Sequence, residues 1–139
     1  MMRLTLGYPS ANAEIALLRG GDRRAGAIKL GSVLSADALA RLQALIEQIH
    51  VSDAVLVYVQ QLLSASRAGA TRPLSPRAGL ALLRAARSEA LQSGRDHVLP
   101  DDVQAVWSAV VSHRLSASHD SLAKGGQLAS AVLMGVAAP

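Results

Sequence analysis

Residues 75–115 read SPRAGLALLRAARSEALQSGRDHVLPDDVQAVWSAVVSHRL, and this stretch decides the fold. Ser75 is a capping residue type, Pro76 suits a first helical position where no N–H is needed, and Arg77 follows in the first turn. Across 76–93 the spacing predicts a helix with Leu80, Leu83 and Leu91 on one face, Ala86 and Ala90 at its margin and Arg87 at its centre. Gly94 stops it and Val98-Leu99 forms a short segment. Pro100-Asp101-Asp102 then launches a second helix over about 101–112 that presents Val103, Val106, Trp107 and Val110.

The composition agrees with a helical reading. The chain has 139 residues, half of them apolar, yet only 2% are aromatic and Phe is absent. Its core must therefore be built from Leu, Val, Ile and Ala, a set in which the helix-forming Leu and Ala stand out. We expect one all-α domain, a small bundle of about five helices. The lack of cysteine excludes disulfide frameworks and thiolate metal sites. The first residues lack the basic-then-apolar pattern of a secretory leader, and Ala131–Pro139 is too short to span a bilayer. The expectation is a soluble cytoplasmic protein without a membrane partner. A net charge of +4 permits weak attraction to polyanions, but no run of five like charges occurs.

Outward from the opening stretch, Arg3-Leu4-Thr5-Leu6 alternates polar and apolar and ends at Gly7-Tyr8-Pro9. It reads as an orphan strand-like segment that either pairs outside this chain or lies against the helices as coil. Ser10 caps a helix from Ala11 to about Arg19, with Ile15 and Leu18 expected inward. Gly20-Gly21 opens a loop to Gly31. Ser35 caps the next helix, with Leu39, Leu42, Leu45, Ile46 and Ile49 at helical spacing. After a tight corner at His50-Val51, Ser52 or Asp53 restarts a helix whose inward residues are Val55, Tyr58, Val59 and Leu62. A loop spans Arg67 to Leu74. Beyond Leu115 the tail is polar and then apolar, with room for one short helix.

Candidate functional residues are few. Arg77 opposes the dipole at its helix start, a small local conflict that a nearby phosphate would resolve through the planar guanidinium fork. The plain alternative is a solvated surface arginine. Arg84, two turns on, either supports the same ligand or is solvated. Arg87 on an apolar face needs a partner, and Asp101 and Asp102 are expected to form a structural ion pair with it. His50, His97, His113 and His119 lack ligand spacing, so no metal site is expected. His113 suits a helix C-terminus. No nucleophile setting surrounds any serine.

These residues resemble the C-terminal lid of MoxR-type AAA+ ATPases. The resemblance runs through Ser75-Pro76-Arg77-Ala78, Leu82-Leu83-Arg84-Ala85-Ala86-Arg87, Gly94-Arg95, Val98-Leu99-Pro100-Asp101-Asp102-Val103 and His113-Arg114-Leu115. Leu6-Gly7-Tyr8-Pro9, His50-Val51-Ser52-Asp53 and Val136-Ala137-Ala138-Pro139 fit the same pattern, so nearly the whole chain is covered. The resemblance implies that residues 1–9 are the remnant of the last strand of an ATPase core, 10–115 a helical lid and 116–139 a tail. It also implies that Arg77, with Ser75 and Pro76, is the sensor-2 element touching the outer phosphates of a nucleotide. The implied partners are the protein's own AAA+ core, neighbouring subunits of a hexamer and von Willebrand A-domain proteins. The implied role is chaperone-like.

The departures are as informative. No G-x-x-x-x-G-K-[ST] occurs, and Gly20-Gly21-Asp22 through Gly31 lacks the lysine–hydroxyl pair. Walker B and sensor-1 regions are missing, and Arg3 does not match the family's arginine finger. With no phosphate cradle or Mg²⁺ ligands, this chain alone is expected to have no catalytic residues and no ATPase activity. ATP and Mg²⁺ are expected only with the full-length ATPase. The competing reading is a small basic helical module that binds DNA or protein, permitted by the charge. It is disfavoured for nucleic acid by the scarcity of base-reading side chains and by the lack of an aromatic stacking platform.

Overall fold

A computed structural model describes residues 2–20, 31–69, 72–116 and 122–139. Six helices follow in order: α1 (Ala11–Gly20), α2 (Ala36–Gln48), α3 (Asp53–Gly69), α4 (Pro76–Gln92), α5 (Pro100–Leu115) and α6 (Leu122–Met134). The fold is all-α. The β-type pairing among the described residues is one isolated parallel bridge between His50 and His97. There the His50 N–H donates to Asp96 O at 2.8 Å and the Val98 N–H to His50 O at 2.9 Å. This bridge ties the α2–α3 corner to the α4–α5 turn.

Local signals start the helices where the sequence places them. Ser10, Ser35 and Ser52 accept side-chain hydrogen bonds from the amides of Ala13, Ala38 and Val55, so each satisfies an orphan donor of a first turn. Gly94 ends α4 at φ +73°, a left-handed conformation that glycine adopts without steric cost.

The core is centred on α5, which lies between α4 and α6. Val103, Val106, Trp107, Val110, Val111 and Leu115 are all buried, a face wide enough to contact helices on two sides. From α3, Val55, Tyr58, Val59 and Leu62 close the core, as their spacing predicts. The tail forms α6, whose Ala129 is fully buried and accepts a 2.8 Å hydrogen bond from the Trp107 indole. A β-carbon at Gly125 would collide with the backbone carbonyl of Ser112. Glycine there lets α6 sit almost on the α5 backbone.

Several expectations about burial are overturned. Ile15 and Leu18 of α1 are 46% and 80% exposed rather than inward, and α1 buries no residue. Leu39, Leu42 and Leu45 of α2 are exposed too, and only Ile49, just past its end, enters the core. On α4 the buried stripe is Ala78, Ala81, Leu82, Ala85, Ala86 and Ala90, while Leu80 is 70% exposed. Small side chains let α5 approach closely, and close packing over a long seam outweighs burial of a few leucines. Residues 3–6 form no strand. They are coil, tied to α5 at Arg3, whose N–H donates to Ala109 O at 2.8 Å, while Leu4 and Leu6 are exposed. The loop after Gly20 and His119 lie mostly or wholly outside the described residues.

Candidate functional site

The start of α4 is anchored from within. Ser75 is extended (φ −81°, ψ 162°), Pro76 opens the helix, and the Ser75 carbonyl accepts from the Ala78 N–H at 2.8 Å. Ala78 is buried against the core. Leu63 of α3 packs over Gly79, where a β-carbon would stand 2.8 Å from its Cδ1. The preceding loop is pinned by fully buried Ser66, whose hydroxyl donates to Leu63 O at 2.6 Å and accepts from the Leu74 N–H at 3.2 Å.

On this fixed base Arg77 is exposed and makes no ion pair or side-chain hydrogen bond among the described residues. The Ser75 hydroxyl, two residues before Arg77 in sequence, makes no cap hydrogen bond to the helix. An unneutralised planar cation and a hydroxyl at an uncapped helix start can receive an oxyanion.

Arg84 and Arg87 are arranged differently. Arg84 Nε lies 3.2 Å from Glu47 Oε1, and Arg87 Nη1 lies 3.3 Å from Glu47 Oε2. One carboxylate of α2 thus holds two arginines of α4, one on each oxygen. The expected pair of Arg87 with Asp101 or Asp102 does not form. Its basis was the leucine face of α4 turned towards the following helix, whereas the alanine face takes that position and turns Arg87 towards α2. Asp101 is exposed in the first turn of α5.

Asp102 belongs to a separate lock. Its buried carboxylate receives Arg95 through both guanidinium nitrogens, at 2.7 and 2.5 Å, and the Leu99 N–H at 2.8 Å. Arg95 Nη1 also donates to His97 O at 3.3 Å. The Arg95 hydrogen bonds hold the Asp102 carboxyl below its ordinary range against the opposing effect of burial. Neither Glu47 nor Arg95 stands out in the sequence as a partner. The signal for Arg95 is its place directly after the stop glycine, six and seven residues before two aspartates across a short connection. Glu47 has no local signal, because its arginines lie forty residues away.

The fold is thus an α-helical bundle with an exposed arginine at one internally anchored helix start. The profile of the AAA lid domain matches residues 62–132, from late α3 across α4 and α5 into α6. The chain belongs to the AAA lid domain family and is of MoxR type. It is 33% identical over 136 residues to Chaperone MoxR1 of Mycobacterium tuberculosis, covering 88% of this chain and 35% of that protein. It is 29% identical over 117 residues to YeaC of Bacillus subtilis, covering 83% and 37% respectively. The chain therefore spans about a third of the length of these relatives. A crystal structure of a proposed ATPase from Cytophaga hutchinsonii shares the fold, with a TM-score of 0.76 at 22% identity, over all of this chain and 46% of that one. No helix among the described residues is long and apolar enough to cross a membrane.

Proposed function

We propose that this chain acts as the nucleotide-responsive lid of a MoxR-type AAA+ ATPase, with Arg77 as its sensor-2 arginine. One observation carries the reading: Arg77 is exposed and without an ion pair among the described residues, on an internally anchored helix start whose Ser75 hydroxyl makes no cap hydrogen bond. A guanidinium held this way meets the outer phosphates of a nucleotide bound on a core domain, and the gain in charge-assisted hydrogen bonds favours the closed lid. The exposed leucines of α1 and α2 supply apolar surface for the core to cover. Contacts to neighbouring subunits of a hexamer, a chaperone-like role and von Willebrand A-domain partners follow from the resemblance to the MoxR family and belong to the same proposal. ATP and Mg²⁺ act through the complete ATPase, so this chain alone is inactive.

The test is association of this chain with a separately produced, lid-less MoxR-type core, followed by fluorescence anisotropy with and without a non-hydrolysable ATP analogue. We expect the analogue to tighten association and Arg77→Ala to remove about tenfold of that gain, as loss of a charge-assisted contact implies. Equal association with and without nucleotide would refute the reading, as would an unchanged response in R77A. Salt-sensitive binding to duplex DNA without core association would favour the nucleic-acid alternative.

A further inference from the structure

Between Asp53 and Glu89 the sequence contains no acidic residue, yet it contains Arg67, Arg72, Arg77, Arg84 and Arg87. The structure sorts these five into two groups. Glu47 reaches across from α2 and pairs with both Arg84 and Arg87, one on each carboxylate oxygen, so it offsets part of their charge. Arg67, Arg72 and Arg77 are exposed and form no ion pair among the described residues.

The three unneutralised arginines gather at one end of the bundle. Arg67 is in the last turn of α3, directly after Ser66, whose hydroxyl binds the Leu74 amide. Arg72 precedes Leu74 by two residues and Arg77 follows it by three. The Leu63–Gly79 contact holds the end of α3 against the start of α4. Two packing contacts therefore bring three cations to one pole, with no carboxylate in the intervening sequence to offset them. Mutual repulsion of like charges there lowers stability. A polyanion would relieve it.

We propose that Arg67 and Arg72 join Arg77 in a single binding pole for a polyphosphate chain, while Arg84 is withdrawn from it by Glu47. This deepens the sensor-2 reading and rests on it for the identity of the ligand as the phosphate tail of a nucleotide. The chemistry is that of several guanidinium forks sharing the oxygens of one linear polyanion, a use that suits arginine better than lysine. On this proposal Arg67 and Arg72, rather than Arg84, support Arg77.

The test uses the full chain and inorganic tripolyphosphate as probe, with binding read by amide chemical-shift titration at low salt. R67Q and R72Q are expected to weaken binding by about fivefold each and R77Q by at least as much, the loss expected of one charge-assisted contact at an exposed site. R41Q, which removes an equal charge from the exposed face of α2, is expected to change it by less than about twofold. E47Q, which frees Arg84 and Arg87, should leave the shifts centred on residues 66–79. Loss of affinity on R77Q but not on R67Q or R72Q would overturn this inference and leave the sensor-2 reading standing. An equal loss on R41Q would overturn it as non-specific charge attraction, and tighter binding of duplex DNA than of tripolyphosphate would overturn it in favour of a nucleic-acid surface.

Discussion

Asp102 is the side chain on which the α4–α5 turn depends. Its carboxylate accepts from the amide of Leu99, the residue that caps α5, and from both arms of Arg95, and it is buried. Replacing it with Asn keeps the size but removes the charge that Arg95 binds. We expect D102N to cost roughly 2 kcal/mol of unfolding free energy, the scale for leaving charged hydrogen-bonding groups poorly satisfied, measured by urea denaturation. Because the folded-state pKa of Asp102 lies below its ordinary value, its contribution is complete above the usual carboxylate pKa. It is lost as pH falls below about 3.9 towards the depressed value.

His113 titrates in a more accessible window. Burial pushes its pKa down, with Arg114 and then Arg3 adding repulsion. Unfolding lets it bind a proton that the fold disfavours, so stability falls as pH drops below about 6.5, the unfolded histidine value. Thermal melts of the wild type and H113Q between pH 7.5 and 5 should show a shallower decline for the variant.

At the scale of elements, the clearest dependence is that of α6 on Gly125. Any side chain there meets the Ser112 carbonyl on α5, and helix backbones cannot yield as a flexible side chain can. G125A is expected to lift α6, break the Trp107–Ala129 hydrogen bond and expose the indole, seen as a red shift in tryptophan fluorescence. The Glu47 clamp between α2 and α4 should matter far less to stability. Glu47 and Arg84 are about half exposed and Arg87 is 28% exposed, and solvent-screened ion pairs contribute about 1 kcal/mol or less.

Helix existence, starts and stops were legible because capping serines, N1 prolines and Gly94 act within a few residues. The inward faces of α3 and α5 were legible too, each having one apolar stripe. The face of α4 was not. Its leucines and alanines surround much of the helix, and the choice falls to the side on which α5 can come closest. Once that face was misread, the partner of Arg87 was misread with it. On α1 and α2 the periodicity marked an apolar face correctly but could not say whether this chain covers it.

That last point belongs to the whole molecule. Leu39, Leu42 and Leu45 form an amphipathic face that the bundle leaves in solvent, although a folded domain gains by burying such surface. In L39E a charge replaces the most exposed of the three leucines, about half accessible already. We expect its melting temperature to stay within about 2 °C of wild type while association with a lid-less core weakens, measured in the same anisotropy experiment. A large drop in melting temperature would show instead that this face is part of the bundle's own core.

The His50–His97 bridge gathers the ends of α2 and α4 and the starts of α3 and α5 at one extremity of the bundle. Arg77 begins the 17-residue α4 at the other extremity, about 25 Å away along the helix axis. With the start of α4 anchored as well, the bundle on the proposed lid reading turns as one body, and α4 spans it as a rigid bar. A 10° rotation of the bundle about the bridged corner would carry the guanidinium through roughly 4 Å by that length, enough on that proposed reading to make or break contact with an anion.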